Sequence, residues 1–180
     1  MSYEHVPVPY QGGATRTPEF LALNPNGHIP VVDDDGIIVW ESMACALYLA
    51  RRYATPGSIA PQTPQEEADA LRWSFWTVTE VEKDALTVLM HRLGLPPEQR
   101  KPELAVAAEK HLVADVRVLE QHLQTRTYMA GERFTVADVT VASVMFWTGP
   151  AATLLESAPR TQAWLKACLE RPAYRRAKAR

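Results

Sequence analysis

The stretch NPNGHIPVVDDDGIIVWES, from Asn24 to Ser42, constrains the fold more than any other part of the 180-residue chain. Pro25 pushes the residue before it out of helical geometry, so Asn24-Pro25 stops a helix arriving from the N-terminal side. Asn26-Gly27 supplies residues that accept positive φ in a turn. Ile29 to Val32 reads as a short apolar strand, and Asp33 to Gly36 as a tight turn with an Asp-Gly signature. Ile37 to Trp40 is the returning strand, and an apolar helical run from Ser42 to Tyr53 begins at once. A chain with this stretch contains a strand–hairpin–helix unit.

The flanks complete the architecture. Tyr3 to Val8 has the composition of a strand, but Pro7 and Pro9 cannot donate ladder hydrogen bonds, which makes it an edge strand. Gln11 to Thr15 is a loop. Thr17 caps a short helix, Glu19 to Leu23, with Pro18 at the first helical position. The helix from Ser42 to Tyr53 is hydrophobic on most faces, which predicts that it is largely buried. Pro56, Gly57, Pro61 and Pro64 mark residues 54–64 as a linker. Beyond it the strand signals stop. Glu66 to Leu93 carries Leu71, Phe75, Val78, Ala85, Leu86 and Leu89 close to helical spacing. Further helices are predicted over Leu104 to Leu123, Thr135 to Trp147 and Thr161 to Leu169, followed by a basic tail. The fold class is α/β plus all-α, with domains at 1–53 and 65–180.

Composition excludes several functions. Apolar residues make up 47% of the chain and charged residues 22%, as in an ordinary soluble protein. A formal charge of −2 gives no reason to expect nucleic acid or an anionic membrane as partner. No apolar run approaches the roughly 20 residues of a membrane span. No basic-then-apolar leader is present, and Cys45 and Cys168 read as reduced thiols, which together point to the cytoplasm. His91, His111 and His122 lack the spacing of a metal site.

Chemistry concentrates at Glu41-Ser42. A serine opening a helix caps it, and the free N–H groups there attract an anion. A carboxylate beside that site suits a cation on the same ligand, and an α-amino acid carries both charges on one carbon. The order strand, Ile-Pro, hairpin, Glu-Ser, helix resembles the glutathione-binding half of the cytosolic, bacterial-type glutathione S-transferases. The resemblance is strongest from Arg16 to Tyr53 and from Gly131 to Trp147. It implies a thioredoxin-like N-terminal domain that lacks its first strand and helix, followed by a glutathione-transferase-type helical domain.

The resemblance also implies roles. Pro30 would be cis and present the Ile29 backbone to the cysteinyl part of glutathione. Glu41 would hold the γ-glutamyl amino group, and the Ser42 hydroxyl and N–H its carboxylate. His28 would touch the tripeptide, and Arg16 the glycyl carboxylate. The family lowers the thiol pKa with a Ser, Tyr or Cys near the end of the first strand. No residue here matches that position, so Ser2, Tyr3 and Tyr10 receive no catalytic role, and Cys45 reads as a buried, inert thiol. In GERFTVAD, Thr135 and Asp138 form a capping box, with Phe134 and Val139 at the positions of a hydrophobic staple. Trp73, Phe75 and Trp76 read either as core or as the lining of an acceptor pocket.

The expected function is conjugation of glutathione, as co-substrate and without a metal, to a hydrophobic electrophile. The chain would act as a homodimer, with activity weak or lost. Alternatives are a non-catalytic interaction module of the same fold, or a glutathione-dependent disulfide reductase or peroxidase.

Overall fold

Asp35 and Gly36 both take positive φ, 52° and 88°, the conformation that a two-residue type I′ turn requires at both central positions. In the computed structural model, which describes residues 2–9 and 12–179, they join strands β1 (Val31–Asp34) and β2 (Ile37–Trp40). The strands are antiparallel, with Asp34 opposite Ile37 and Val31 opposite Trp40. The Asp33 carboxylate accepts the Gly36 N–H at 2.8 Å and closes the turn. The chain divides between Ala60 and Pro61 into two compact units.

In unit 1 the hairpin is preceded by helix α1 (Pro18–Leu23) and followed by α2 (Ser42–Tyr53). Thr17 caps α1, its hydroxyl accepting the Phe20 N–H at 3.3 Å. The Cys45 thiol donates to the Val39 carbonyl at 3.3 Å and ties α2 to β2. At the hairpin tip, Asp34 accepts the hydroxyls of Tyr48 and Tyr53, with the Arg52 Nε 3.9 Å away.

Three expectations for this unit are corrected. Residues 3–8 form no strand: the two prolines withhold donors, no partner strand faces them among the described residues, and Tyr3 and Val6 lie exposed. Strand β1 begins at Val31, not Ile29, and runs through Asp34, since Trp40, the last residue of β2, pairs with Val31 and leaves nothing for Pro30 to pair with. Helix α2 fully buries only Cys45 and Ala50, because a two-stranded hairpin covers one stripe of a helix and no more.

Unit 2 is all-helical. Helix α3 (Pro64–Trp76) continues through a wider π-type turn at Thr77–Val81 into α4 (Glu82–Leu89), then a second such turn at Met90–Gly94. After these come α5 (Pro102–His122), α6 (Val136–Met145), α7 (Pro159–Leu169) and α8 (Pro172–Lys178). The predicted basic tail is thus α8, with Arg175, Arg176 and Lys178 in its last turn, where cations suit the helix dipole. Thr63, inside the predicted linker, already caps α3 by accepting the Glu66 N–H at 3.1 Å.

From α3 through α4 the buried face differs in part from the one predicted, although Ala85 is buried as expected. Leu71, Phe75 and Leu86 are 45%, 65% and 42% exposed, whereas Ala70, Trp73, Ser74, Thr77 and Val81 are buried. Small residues let α3 approach α6 closely, and their hydroxyls find partners inside. Ser74 donates to the Thr140 hydroxyl at 3.0 Å and Thr77 to the Trp73 carbonyl at 2.8 Å. Helix α5 follows its predicted face, burying Ala108, Leu112, Val116 and Leu119, although Leu104 is exposed.

The capping box at α6 is present, with the Asp138 carboxylate accepting the Thr135 N–H at 2.8 Å. The same carboxylate also accepts the Met129 N–H and the Trp164 indole N–H, each at 2.9 Å, and so anchors α7. Phe134 stacks edge-on against Tyr128 and lies under the Arg171 guanidinium, 3.7 Å from its ring centre.

Candidate functional site

The open end of the β1–β2 hairpin gathers the residues singled out in the sequence. Because Val31 pairs with Trp40, Pro30 and Glu41 are the next residues outward on neighbouring strands. Strands stand about 4.8 Å apart, so the two leave the sheet side by side. His28 and Ile29 lead into this end along one arm, and Ser42 opens α2 on the other. His28, Ile29, Pro30, Glu41 and Ser42 are all exposed. The Ile29–Pro30 peptide is cis. Among the described residues, nothing hydrogen-bonds the Ile29 N–H or carbonyl.

Glu41, not Ser42, holds the N-cap position of α2, and Ser42 is the first helical residue. The predicted serine cap is therefore corrected. The Glu41 backbone sits at φ 73° and ψ 126°, a region L-residues seldom enter, at a cost of about 1–3 kcal/mol. Its carbonyl accepts the Cys45 N–H at 2.9 Å, while its side chain makes no capping bond. The carboxylate is thereby free of the role a capping acid normally plays. The first N–H groups of α2, starting with Ser42, lack helical partners and carry the positive end of the helix dipole.

Arg16, in a single 3₁₀ turn before α1, donates from Nη1 to the Asn26 carbonyl at 3.0 Å. This attaches it to the loop that carries His28. Gly27 seals the contact: φ is +63°, and a Cβ there would sit 2.6 Å from Arg16 Nη1 and 2.8 Å from the Thr15 carbonyl oxygen.

Asn24, a helix stop by sequence, also organises this loop with its side chain. It is 1% exposed, accepts the Asn26 N–H at 3.0 Å and donates to the His28 carbonyl at 2.7 Å. The signal lay in the Asn-Pro-Asn-Gly string, where an Asn can bond the backbone two residues on.

Other candidates fall away. Cys45 is buried, and burial pushes its thiol pKa up, away from the reactive thiolate. Tyr10 lies outside the described residues. Trp73 is core, edge-on to Trp76 and His122, while Phe75 is exposed. Among the described residues, no three His, Cys, Asp or Glu side chains cluster as metal ligands, and no helix is long and apolar enough to cross a membrane. Unit 2 has a shallow cleft of about 550 Å³ beside Arg126, Tyr128, Arg160 and Trp164. Its two guanidiniums already face the carboxylates of Asp69 at 3.7 Å and Glu120 at 3.5 Å, so it carries little unbalanced charge.

Comparison with known proteins gives a family match to each half of the chain. Residues 1–51 match the glutathione S-transferase N-terminal domain, and residues 81–172 the glutathione S-transferase C-terminal domain. Glutathione S-transferase 3 of Zea mays is 33% identical over 186 residues, covering 98% of this chain and 82% of that protein. Elongation factor 1-gamma of Rattus norvegicus is 29% identical over 168 residues, which are 91% of this chain. The chain spans only 37% of that elongation factor's length. The solved structure of a glutathione S-transferase-I bound with lactoylglutathione superposes with a TM-score of 0.86 at 25% identity, covering 98% of this chain and 86% of its own.

Proposed function

The chain belongs to the glutathione S-transferase family, and from that premise we propose that the open end of its hairpin binds glutathione. In this reading Glu41 pairs with the γ-glutamyl ammonium. The Ser42 hydroxyl and N–H hold the adjacent carboxylate at the helix N-terminus. The Ile29 backbone, set by Pro30, pairs with the cysteinyl residue in strand fashion. His28 and Arg16 face the glycyl end. The observation that carries the reading is the backbone of Glu41: an exposed acid held at positive φ beside a free helix N-terminus, its carboxylate spared from capping.

The reaction is attack of the glutathione thiolate on a hydrophobic electrophile, with the chain acting as a cytoplasmic homodimer. The protein's own thiol at Cys45 takes no part, being buried and bonded to Val39. No residue is assigned to lower the glutathione thiol pKa, and conjugating turnover is expected to be weak. A second reading is favoured by the match to elongation factor 1-gamma: a glutathione-transferase-fold module that serves in assembly without catalysis.

Calorimetric titration with glutathione separates the two. Saturable binding that weakens at least tenfold in Glu41→Gln supports the first, since hydrogen bonds to charged groups are worth about 1.5–3 kcal/mol. Absence of binding by the wild-type chain refutes it and leaves the second. Turnover of an electrophilic aryl halide at a rate within reach of free glutathione alone is the expected result for the chemistry.

A further inference from the structure

We propose that Asn24 is a positioning residue for the glutathione site, aiming the Ile29 N–H outward by holding the other side of the same peptide. The inference rests on the glutathione reading above. His28, Ile29 and Pro30 are exposed, so side-chain packing does not locate them; the backbone must. The His28 carbonyl and the Ile29 N–H belong to one planar trans peptide unit and point in opposite directions. Asn24 Nδ2 donates to that carbonyl at 2.7 Å from a side chain that is 1% exposed. With the carbonyl turned toward the buried amide, the Ile29 N–H is turned away from it.

The amide is itself held rigidly. Its Oδ1 accepts the Asn26 N–H at 3.0 Å, and the Asn24 carbonyl accepts the Gly27 N–H at 2.9 Å. The Asn24 N–H closes α1 on the Phe20 carbonyl at 2.9 Å. One residue therefore links the last turn of α1 to the peptide that precedes Ile29. Arg16 braces the same loop from the other side through the Asn26 carbonyl. A loop without the Asn24 donor populates other orientations of the 28–29 peptide. Apparent affinity then falls in proportion to the fraction still oriented for binding.

The test is Asn24→Asp, which is isosteric and keeps the acceptor for Asn26 but sets a carboxylate oxygen against the His28 carbonyl. Asn24→Ser, smaller and uncharged, is the companion variant should a buried carboxylate unfold the loop. Glutathione affinity is read by calorimetry well below the melting temperature, which is recorded in parallel. Expected is a loss of about tenfold in affinity in whichever variant stays folded, with the Ile29 amide resonance no longer shifting on glutathione addition as it does in wild type. Wild-type binding with undiminished affinity in a folded variant, whatever the change in melting temperature, overturns the inference and leaves the glutathione reading intact. No binding by wild type overturns both.

Discussion

Glu41 occupies a backbone region that glycine enters freely and glutamate does not. Strain of this kind persists where the surrounding structure over-determines it and is concentrated at ligand sites. Two neighbours do the determining here: Trp40, locked in the hairpin register, and Cys45, whose N–H holds the Glu41 carbonyl. Glu41→Gly removes both the strain and the carboxylate. Its expected outcome is a chain more stable by up to about 1 kcal/mol, after the extra entropy of an unfolded glycine is deducted, that no longer binds glutathione. Chemical denaturation and calorimetry on one sample check this. A variant both less stable and still binding would show that the conformation serves folding alone.

At the scale of elements, α7 has no cap of its own, since Ala158 offers no side-chain acceptor. Glu120, on α5, caps it from outside, accepting the Thr161 N–H at 2.8 Å, the Thr161 hydroxyl at 3.0 Å and the Arg160 N–H at 3.3 Å. Burial pushes the Glu120 pKa up, but the bonds from Thr161 and Arg160 outweigh it and hold the carboxyl below its ordinary value of 4.5. A depressed carboxyl pKa contributes stability above the unfolded value and loses it as pH falls through the folded one. Glu120→Gln is therefore expected to cost about 1–2 kcal/mol at pH 7. Urea midpoints of variant and wild type should converge below about pH 4.5. A gap unchanged down to pH 3 would contradict the cap.

Such a tertiary cap was not legible in the sequence, because its two halves, Glu120 and Thr161, lie 41 residues apart. Local devices were legible: Thr17 before Pro18, Asp35-Gly36 between two apolar runs, and Thr135 three residues before Asp138 each carry their partner within a turn. The face of α3 misled because apolar spacing marks Leu71 and Phe75, while the buried side is built from Ala70, Ser74 and Thr77: the Thr77 hydroxyl is satisfied by the Trp73 carbonyl one turn back, and that of Ser74 only once α6 is in place. Residues 3–8 misled for the opposite reason: strand composition without a strand to pair with. At the candidate site, the Ile-Pro and Glu-Ser pairs and the Asn-Pro-Asn-Gly turn were visible, but the bond from Asn24 to the His28 carbonyl and the positive φ of Glu41 were not, being consequences of loop geometry.

For the whole molecule, the two units divide the work. Unit 2 holds the deep core, with Leu112, Leu119, Met129 and Met145 fully enclosed, and Asp138 knots α6, α7 and the Met129 loop together. Among the described residues, the apolar side chains that unit 1 buries are those of Phe20, Cys45 and Ala50, and the unit spends its sequence on a hairpin whose open end is exposed. The lock at the hairpin tip, where Tyr48 and Tyr53 meet Asp34, keeps α2 aligned so that its N-terminus stays at that open end. That division fits a site that must meet a peptide from solvent. The most direct test of glutathione binding by Glu41 and Ser42 is a pair of calorimetric titrations of the intact chain, one with glutathione and one with cysteinylglycine, which lacks the γ-glutamyl group. Glutathione is expected to bind saturably and the dipeptide about a hundredfold more weakly, the loss of two charge-assisted contacts. Equal affinity for the two would contradict the assignment of Glu41 and Ser42, and no affinity for either would contradict the site itself.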